Sequence, residues 1–211
     1  RHLRDTWNIL SPELGEFVDI VPPQQRLPSR WYLGTADAVF QNLYLLQQER
    51  PEWVMIVGGD HVYKMDYALL LEETVDCGAD VSIVCIDVPI EDAKSFGIMS
   101  VDERSRITAF TEKPQQPTPM PGRSDRCLAS MGIYLFRTEV LVRALVRDAK
   151  NPASSKDFGK DIIPRLIEER GVLAYNINSE GQPGGGYWRD VGTLESYWEA
   201  NMDLIARYPE F

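Results

Sequence analysis

The chain predicts an α/β fold: a mixed sheet flanked by helices, with a small hairpin insertion. Three observations point there. Apolar, β-branched runs alternate with stretches of helical periodicity through most of the 211 residues. Gly, Pro, Asn and Asp punctuate the boundaries between them. One pair of short strands flanks a polar turn and interrupts the alternation with a hairpin.

The elements follow in order. Trp7, Ile9, Leu10, Phe17, Val18 and Ile20 lie among polar residues and read as part of a folded segment. The chain opens on Arg1 rather than Met, as a fragment or a processed chain would. From Thr35 to Glu49, Val39, Leu43 and Leu46 share one face of a single helix, with Thr35 as its N-cap. Trp53 to Val57 is a continuous apolar run, the pattern of a buried strand. Asp66 caps the next helix, which turns Tyr67, Leu70, Leu71 and Val75 inward and stops at Gly78. Val81 to Val88 alternates Val81, Ile83 and Cys85 against Ser82, Val84 and Ile86, and reads as a central strand. The hairpin joins Gly97–Val101 to Ile107–Glu112. A proline-rich loop then leads to a strand at Leu128–Phe136, followed by a helix from Thr138 to Asp148 with Leu141, Ala144 and Leu145 inward. Phe158 to Arg170 is a helix closed by Gly171, and Val172 to Ile177 is a strand. A glycine-rich loop spans 181–186. Thr193 caps the last helix, whose apolar side is Leu194, Tyr197, Trp198, Leu204 and Ile205.

Composition narrows the function classes. Hydrophobic residues make up 44% and charged residues 26%, the balance of a globular chain. A formal net charge of -10 repels nucleic acid and anionic lipid, so neither a nucleic acid nor a membrane is an expected partner. An anionic substrate would need a local basic group or a metal ion. Cys77, Cys85 and Cys127 are odd in number and show no CxxC pair, which fits free thiols in a reducing cytoplasm. No apolar run reaches the length of a membrane span.

Two stretches carry the most chemistry. Val54-Met55-Ile56-Val57-Gly58-Gly59-Asp60-His61 and Tyr187-Trp188-Arg189-Asp190-Val191-Gly192-Thr193 each place an Asp at the end of an apolar, strand-like run. Ligands in open α/β sheets sit beyond the carboxyl ends of strands. Two carboxylates there can share one hard divalent cation, and Mg²⁺ needs only one or two carboxylates plus waters and phosphate oxygens. Glu112-Lys113-Pro114 ends a strand with adjacent opposite charges, a cation for phosphate and an acceptor for sugar hydroxyls. Trp31 to Val39 brings a loop to a helix start, where N–H groups favour anions. Gln24 and Gln25 could hydrogen-bond a base. Each residue also has a plain structural reading: Asp60 as a turn residue, Asp190 as a helix-entry residue, His61 as a hydrogen-bonded packing residue. The Glu112–Lys113 pair, likewise, could be surface charge before a proline turn.

Together these stretches resemble the sugar-phosphate nucleotidyltransferases. Gly34-Thr35-Ala36-Asp37-Ala38-Val39, Ser130-Met131-Gly132-Ile133-Tyr134 and Tyr187 to Thr193 are similar to the bacterial glucose-1-phosphate adenylyltransferase branch. Gly59-Asp60-His61, Phe96-Gly97-Ile98-Met99, Glu112-Lys113-Pro114 and Asp157-Phe158-Gly159-Lys160-Asp161 follow the family's order. The resemblance implies a Rossmann-like nucleotidyltransferase fold and adenylyl transfer from ATP to α-D-glucose 1-phosphate, giving ADP-glucose and pyrophosphate for glycogen or starch synthesis. It implies Mg²⁺ on Asp60 and Asp190, and the sugar phosphate on Lys113, with Asp60 and Lys113 as the catalytic pair. It implies the glucose ring against Gly97, Glu112 and Ser130, and the adenine nucleotide near Tyr32 and Gly34. Residues 1–211 would be part of the catalytic domain, without the family's N-terminal glycine-rich loop and C-terminal β-helix domain. The parent would be an allosteric, cytoplasmic homotetramer. A non-catalytic regulatory subunit, or a sugar-phosphate-binding piece of the same family, is the alternative.

Overall fold

A computed structural model describes residues 6, 12–23, 31–180 and 186–209. The chain divides into two units, Arg1–Leu33 and Gly34–Phe211. The first has a 3₁₀ turn at Pro12–Leu14 and irregular chain at 16–23 and 31–33. Trp7, Ile9, Leu10, Gln24, Gln25 and the glycine-rich residues 181–185 lie outside the described residues.

The second unit is built on one long strand. The elements in chain order are α1 (Thr35–Phe40), α2 (Leu43–Glu49), β1 (Trp53–Ile56), β2 (His61–Tyr63), α3 (Tyr67–Asp76) and β3 (Val81–Pro89). They continue with β4 (Gly97–Val101), β5 (Ile107–Glu112), β6 (Arg126–Arg137), α4 (Thr138–Ala149), α5 (Ile163–Glu169), β7 (Leu173–Asn176), β8 (Trp188–Asp190) and α6 (Leu194–Leu204). β6 pairs along one edge with β3 and shares its other edge between β4, at Leu128–Ala129, and β1, at Tyr134–Arg137. β5 extends the sheet beyond β4, and β7 runs parallel to β3. The sheet is therefore mixed, as the alternating pattern predicts, and the hairpin strands take the predicted bounds.

The period-2 pattern of β3 sorts two cores onto the two faces of the sheet. Val81, Ile83 and Cys85 pack with Phe136, Leu141, Leu145 and Ile163. Val84, Ile86 and Val88 pack with Leu70, Met131, Ile133 and Tyr175 on the other face. Each such side chain, fully buried, contributes about 1.5–3 kcal/mol. The buried polar pair Thr74 and Ser82 is satisfied, its hydroxyls 2.7 Å apart with Thr74 donating to the Leu70 carbonyl. All three cysteines are free thiols.

Several expectations need correction. The helix expected over 35–49 is two, because the side chains of Gln41 and Asn42 turn back onto Asp37 and Ala38, favouring a break. Thr35 does not cap it. Gly34 is the N-cap residue, and the Thr35 hydroxyl accepts from the Phe158 N–H and donates to Asp157. The β1 strand is half-buried rather than fully buried, since β6 is its only ladder partner among the described residues. In α3, only Leu70 and Thr74 are buried, while Tyr67, Leu71 and Val75 face outward. Asp66 does cap α3, accepting from the Ala68 N–H, and Gly78 follows in the left-handed region that ends a helix. The helix expected from Phe158 opens with a π-helical turn, Phe158–Ile162, before α5. Thr193 caps α6 as expected, in a capping box with Ser196, but α6 buries only Ala200; Leu194 and Trp198 are 89% and 61% exposed.

Candidate active site

The carboxylates at the ends of β1 and β8 meet because of a small second sheet. β2 and β8 pair antiparallel, with His61 opposite Asp190 and Tyr63 opposite Trp188. The Val191 N–H donates to the Asp60 carbonyl and extends the pairing. Asp60, His61 and Asp190 each offer a ligand atom, and these atoms all lie within 4.8 Å of one another. Asp190 accepts from the Gly192 N–H at 2.8 Å, which orients the carboxylate. A side chain at Gly192 would stand 3.0 Å from that same oxygen, and one at Gly58 3.1 Å from Asp60 Oδ1. Both glycines keep space open around the acids.

Behind them lies an open cleft of about 570 Å³. Its back wall is the middle of β6. There the β3–β6 register jumps from Val84 opposite Ile133 to Cys85 opposite Ser130, so Met131 and Gly132 bulge. Bulges of this kind re-aim side chains beside functional sites. Gly132 has φ 69°, and a Cβ there would press to 3.2 Å from the His61 ring. Ser130 lines the cleft and accepts from the Gly132 N–H.

A second wall comes from the hairpin. Gly97 pairs with Glu112, and a Cβ on Gly97 would lie 2.5 Å from the Phe110 ring and 3.0 Å from Glu112 Oε2. Lys113 follows with φ 46°, held by its N–H to the Phe96 carbonyl at 3.0 Å. A lysine in the left-handed region stores about 1–3 kcal/mol of strain, and strained residues cluster at ligand sites. Lys113 is the only Lys or Arg lining the cleft among the described residues, against Glu112, Asp157 and Asp190. An anion entering this acidic cleft meets Lys113 and needs further positive charge.

Aromatic rings close the remaining side. Trp188 packs edge-on to His61 and to Phe96, at centroid distances of 5.7 and 5.3 Å. Tyr134 stacks on Phe158 at 5.8 Å. Burial, and then the charge of Asp157, push the Tyr134 hydroxyl up to about 12. It is therefore a neutral hydrogen-bonding group at neutral pH. The Trp188 Nε1 and the His61 Nδ1 are buried with no hydrogen-bond partner among the described residues. The His61 ring sits between Trp188 and Gly132, with its Nε2 3.6 Å from Asp60 Oδ1.

Of the residues singled out in the sequence, Gly97, Glu112, Lys113, Ser130 and Asp190 line this cleft, and Asp60 stands against Asp190. Gly34 does not line it. Gly34 lies under the backbone at Ser155–Lys156, where a Cβ would fall 2.3 Å from the Lys156 carbonyl oxygen. Tyr32 belongs to the Arg1–Leu33 unit and is half-buried. Tyr134, Asp157, Phe158 and Trp188 line the cleft without having been given roles. The signal for them was present in the Ser130–Tyr134, Asp157–Asp161 and Tyr187–Thr193 stretches, but spacing did not reveal which members face inward.

The donor set suits a hard divalent cation. Two exposed carboxylates can supply oxygen ligands and leave positions for water and phosphate, the preference of Mg²⁺.

The mixed sheet thus carries a Gly-Gly-Asp turn and an acidic cleft lined, among the described residues, by a single lysine. Residues 1–207 match the family described as nucleotidyl transferase, and the chain belongs to that family. It is 53% identical over 210 residues to a glucose-1-phosphate adenylyltransferase of Methylococcus capsulatus, covering 100% of this chain and 50% of that protein. It is 52% identical over 211 residues to a protein of the same name from Hydrogenovibrio crunogenus, covering 100% of this chain and 50% of that one. It is 51% identical over 211 residues to glucose-1-phosphate adenylyltransferase 2 of Vibrio vulnificus, covering 99% of this chain and 52% of that one. The chain spans about half the length of these relatives.

Proposed function

We propose that this chain is part of the catalytic domain of an enzyme that transfers adenylyl from ATP to α-D-glucose 1-phosphate. The observation that carries the reading is the convergence of Asp60, Asp190 and Lys113 around one cleft whose relatives bear that activity in their names. The sugar-phosphate oxygen is already a nucleophile, so no strong base is required. It forms a new bond to the α-phosphorus of ATP. The bond from that phosphorus to the β-bridging oxygen breaks, and its electron pair leaves with pyrophosphate. The work left to the protein is alignment and charge neutralisation.

Lys113 pairs with the phosphate of glucose 1-phosphate as a point charge. Glu112 accepts from ring hydroxyls, and Ser130 and the Gly97 backbone complete the sugar site. Asp60 and Asp190 would hold Mg²⁺, which when bound screens repulsion between the two anionic substrates. Tyr32 is assigned to the nucleotide side. Gly34 serves there through the Ser155–Lys156 backbone that it underlies rather than by touching ligand. The full-length protein is assigned as a cytoplasmic homotetramer. No helix among the described residues is long and apolar enough to cross a membrane.

A purely regulatory role leaves Asp60, Lys113 and Asp190 without a task, whereas the catalytic reading uses all three. The test is pyrophosphate release from ATP plus glucose 1-phosphate, with and without Mg²⁺, on this chain and on the full-length protein. Release that needs neither the sugar phosphate nor the metal refutes the reading, as does the absence of release from the full-length protein.

A further inference from the structure

Strand alternation divides the residues around β8 between two tasks. Trp188 and Asp190 line the cleft. Tyr187 and Arg189 point the other way, toward α6. There a single carboxylate takes both: the Tyr187 hydroxyl donates to Asp203 Oδ2 at 2.8 Å, and Arg189 Nε donates to the same oxygen at 3.1 Å. We propose that Asp203 is a positioning residue for the metal site, a clamp that fixes β8 from behind and so sets the Asp190 carboxylate opposite Asp60. The inference rests on the metal reading of Asp60 and Asp190 given above.

Three observations make the clamp matter. β8 is only three residues long and, among the described residues, is paired on one edge only, to β2. Just before it, Gly186 is tied back by its N–H to Asn178. α6 buries only Ala200, so apolar packing does little to hold that helix against β8. The Asp203 pair and Ala200 carry the attachment. Tyr187 itself is buried, which gives its hydrogen bond a fixed geometry. A rigid outer group of this kind commonly decides how well a metal ligand is aimed.

The test reads metal binding directly, without turnover. Mn²⁺ is titrated into the protein and the free ion is followed by electron paramagnetic resonance. Asp203→Asn, which keeps the shape but removes the charge, is expected to weaken Mn²⁺ binding about tenfold, the low end for outer partners of metal ligands. Tyr187→Phe removes one hydroxyl and is expected to weaken it by about two- to threefold, less than the charge change because the Arg189 bond to Asp203 remains. Far-UV circular dichroism checks the fold; if Asp203→Asn unfolds, Tyr187→Phe decides. Asp190→Asn serves as the reference. If Asp190→Asn binds Mn²⁺ like wild type, the metal reading fails and the clamp with it. If Asp190→Asn loses binding while Asp203→Asn and Tyr187→Phe both keep wild-type affinity, the clamp alone is overturned.

Discussion

Replacing Gly34 by alanine tests whether this position is a backbone contact or a ligand contact. The new methyl carbon would sit 2.3 Å from the Lys156 carbonyl oxygen and 2.8 Å from both the Lys156 carbonyl carbon and the Ser155 oxygen. All three are backbone atoms, so no rotamer change relieves the clash. Lys156 cannot retreat easily. Its side chain is buried, and its Nζ donates to the carbonyls of Asp148 and Asn151. Its own φ is 61°, a conformation with little slack. The Lys156 carbonyl also accepts from the Ala36 N–H at 2.9 Å, a bond that starts α1. Overpacking of this kind costs about 1–3 kcal/mol, and loss of the Ala36 bond adds about 1 kcal/mol. The sum, about 2–4 kcal/mol, corresponds to a melting temperature lower by roughly 5–15 °C for a domain of this size. Differential scanning calorimetry of wild type and Gly34→Ala reads it. Because Asp157, Phe158 and Gly159 follow directly and line the cleft, binding of glucose 1-phosphate should weaken in the same variant. A variant as stable as wild type that has lost only nucleotide binding would refute the backbone role.

The remaining predictions concern the cleft and one buried charge cluster. Asp60→Asn in the full-length protein should lower turnover by about 10²–10³-fold with the melting temperature nearly unchanged. Wild-type turnover at saturating Mg²⁺ would remove Asp60 from the site. Lys113→Gln should raise the KM for glucose 1-phosphate by about 10–100-fold, the worth of one charged hydrogen bond, and barely change that for ATP. Equal changes in both would reject its assignment. Burial alone would raise the Asp87 carboxyl pKa, but the hydrogen bond from Asn178 and the charges of Arg126 and Arg123 outweigh it and hold it below the ordinary value. Its stabilisation is therefore full above about pH 4 and is lost as pH falls through the depressed folded pKa. Asp87→Asn should destabilise the protein by about 3 kcal/mol at pH 7 and flatten the loss of stability below pH 4, as measured by urea unfolding across pH.

Much of the fold was legible because burial leaves a period in the residues. The alternation of Val81 to Val88 marks a strand between two cores, and β3 has one core on each face. Asp66 and Thr193 are caps that act within a few residues, so their chemistry is local and readable. The errors fall where a distant partner decides. Thr35 has the composition of a cap, yet Phe158 and Asp157, more than 120 positions away, claim its hydroxyl. The outward turn of Tyr67, Leu71 and Val75 depends on which stripe of α3 meets the sheet, and periodicity alone does not choose between neighbouring stripes.

By itself the sequence determined the alternating elements, the caps at Asp66 and Thr193, and the residue types able to hold a divalent cation and a phosphate. These follow from short-range rules of burial, backbone preference and ligand chemistry. Only the tertiary structure decided that Asp60 and Asp190 face each other, because the β2–β8 pairing closes a loop of more than 120 residues that no local pattern encodes. The same is true of the bulge at Met131–Gly132 and of Asp203 behind β8, whose roles exist only once separate segments are packed together.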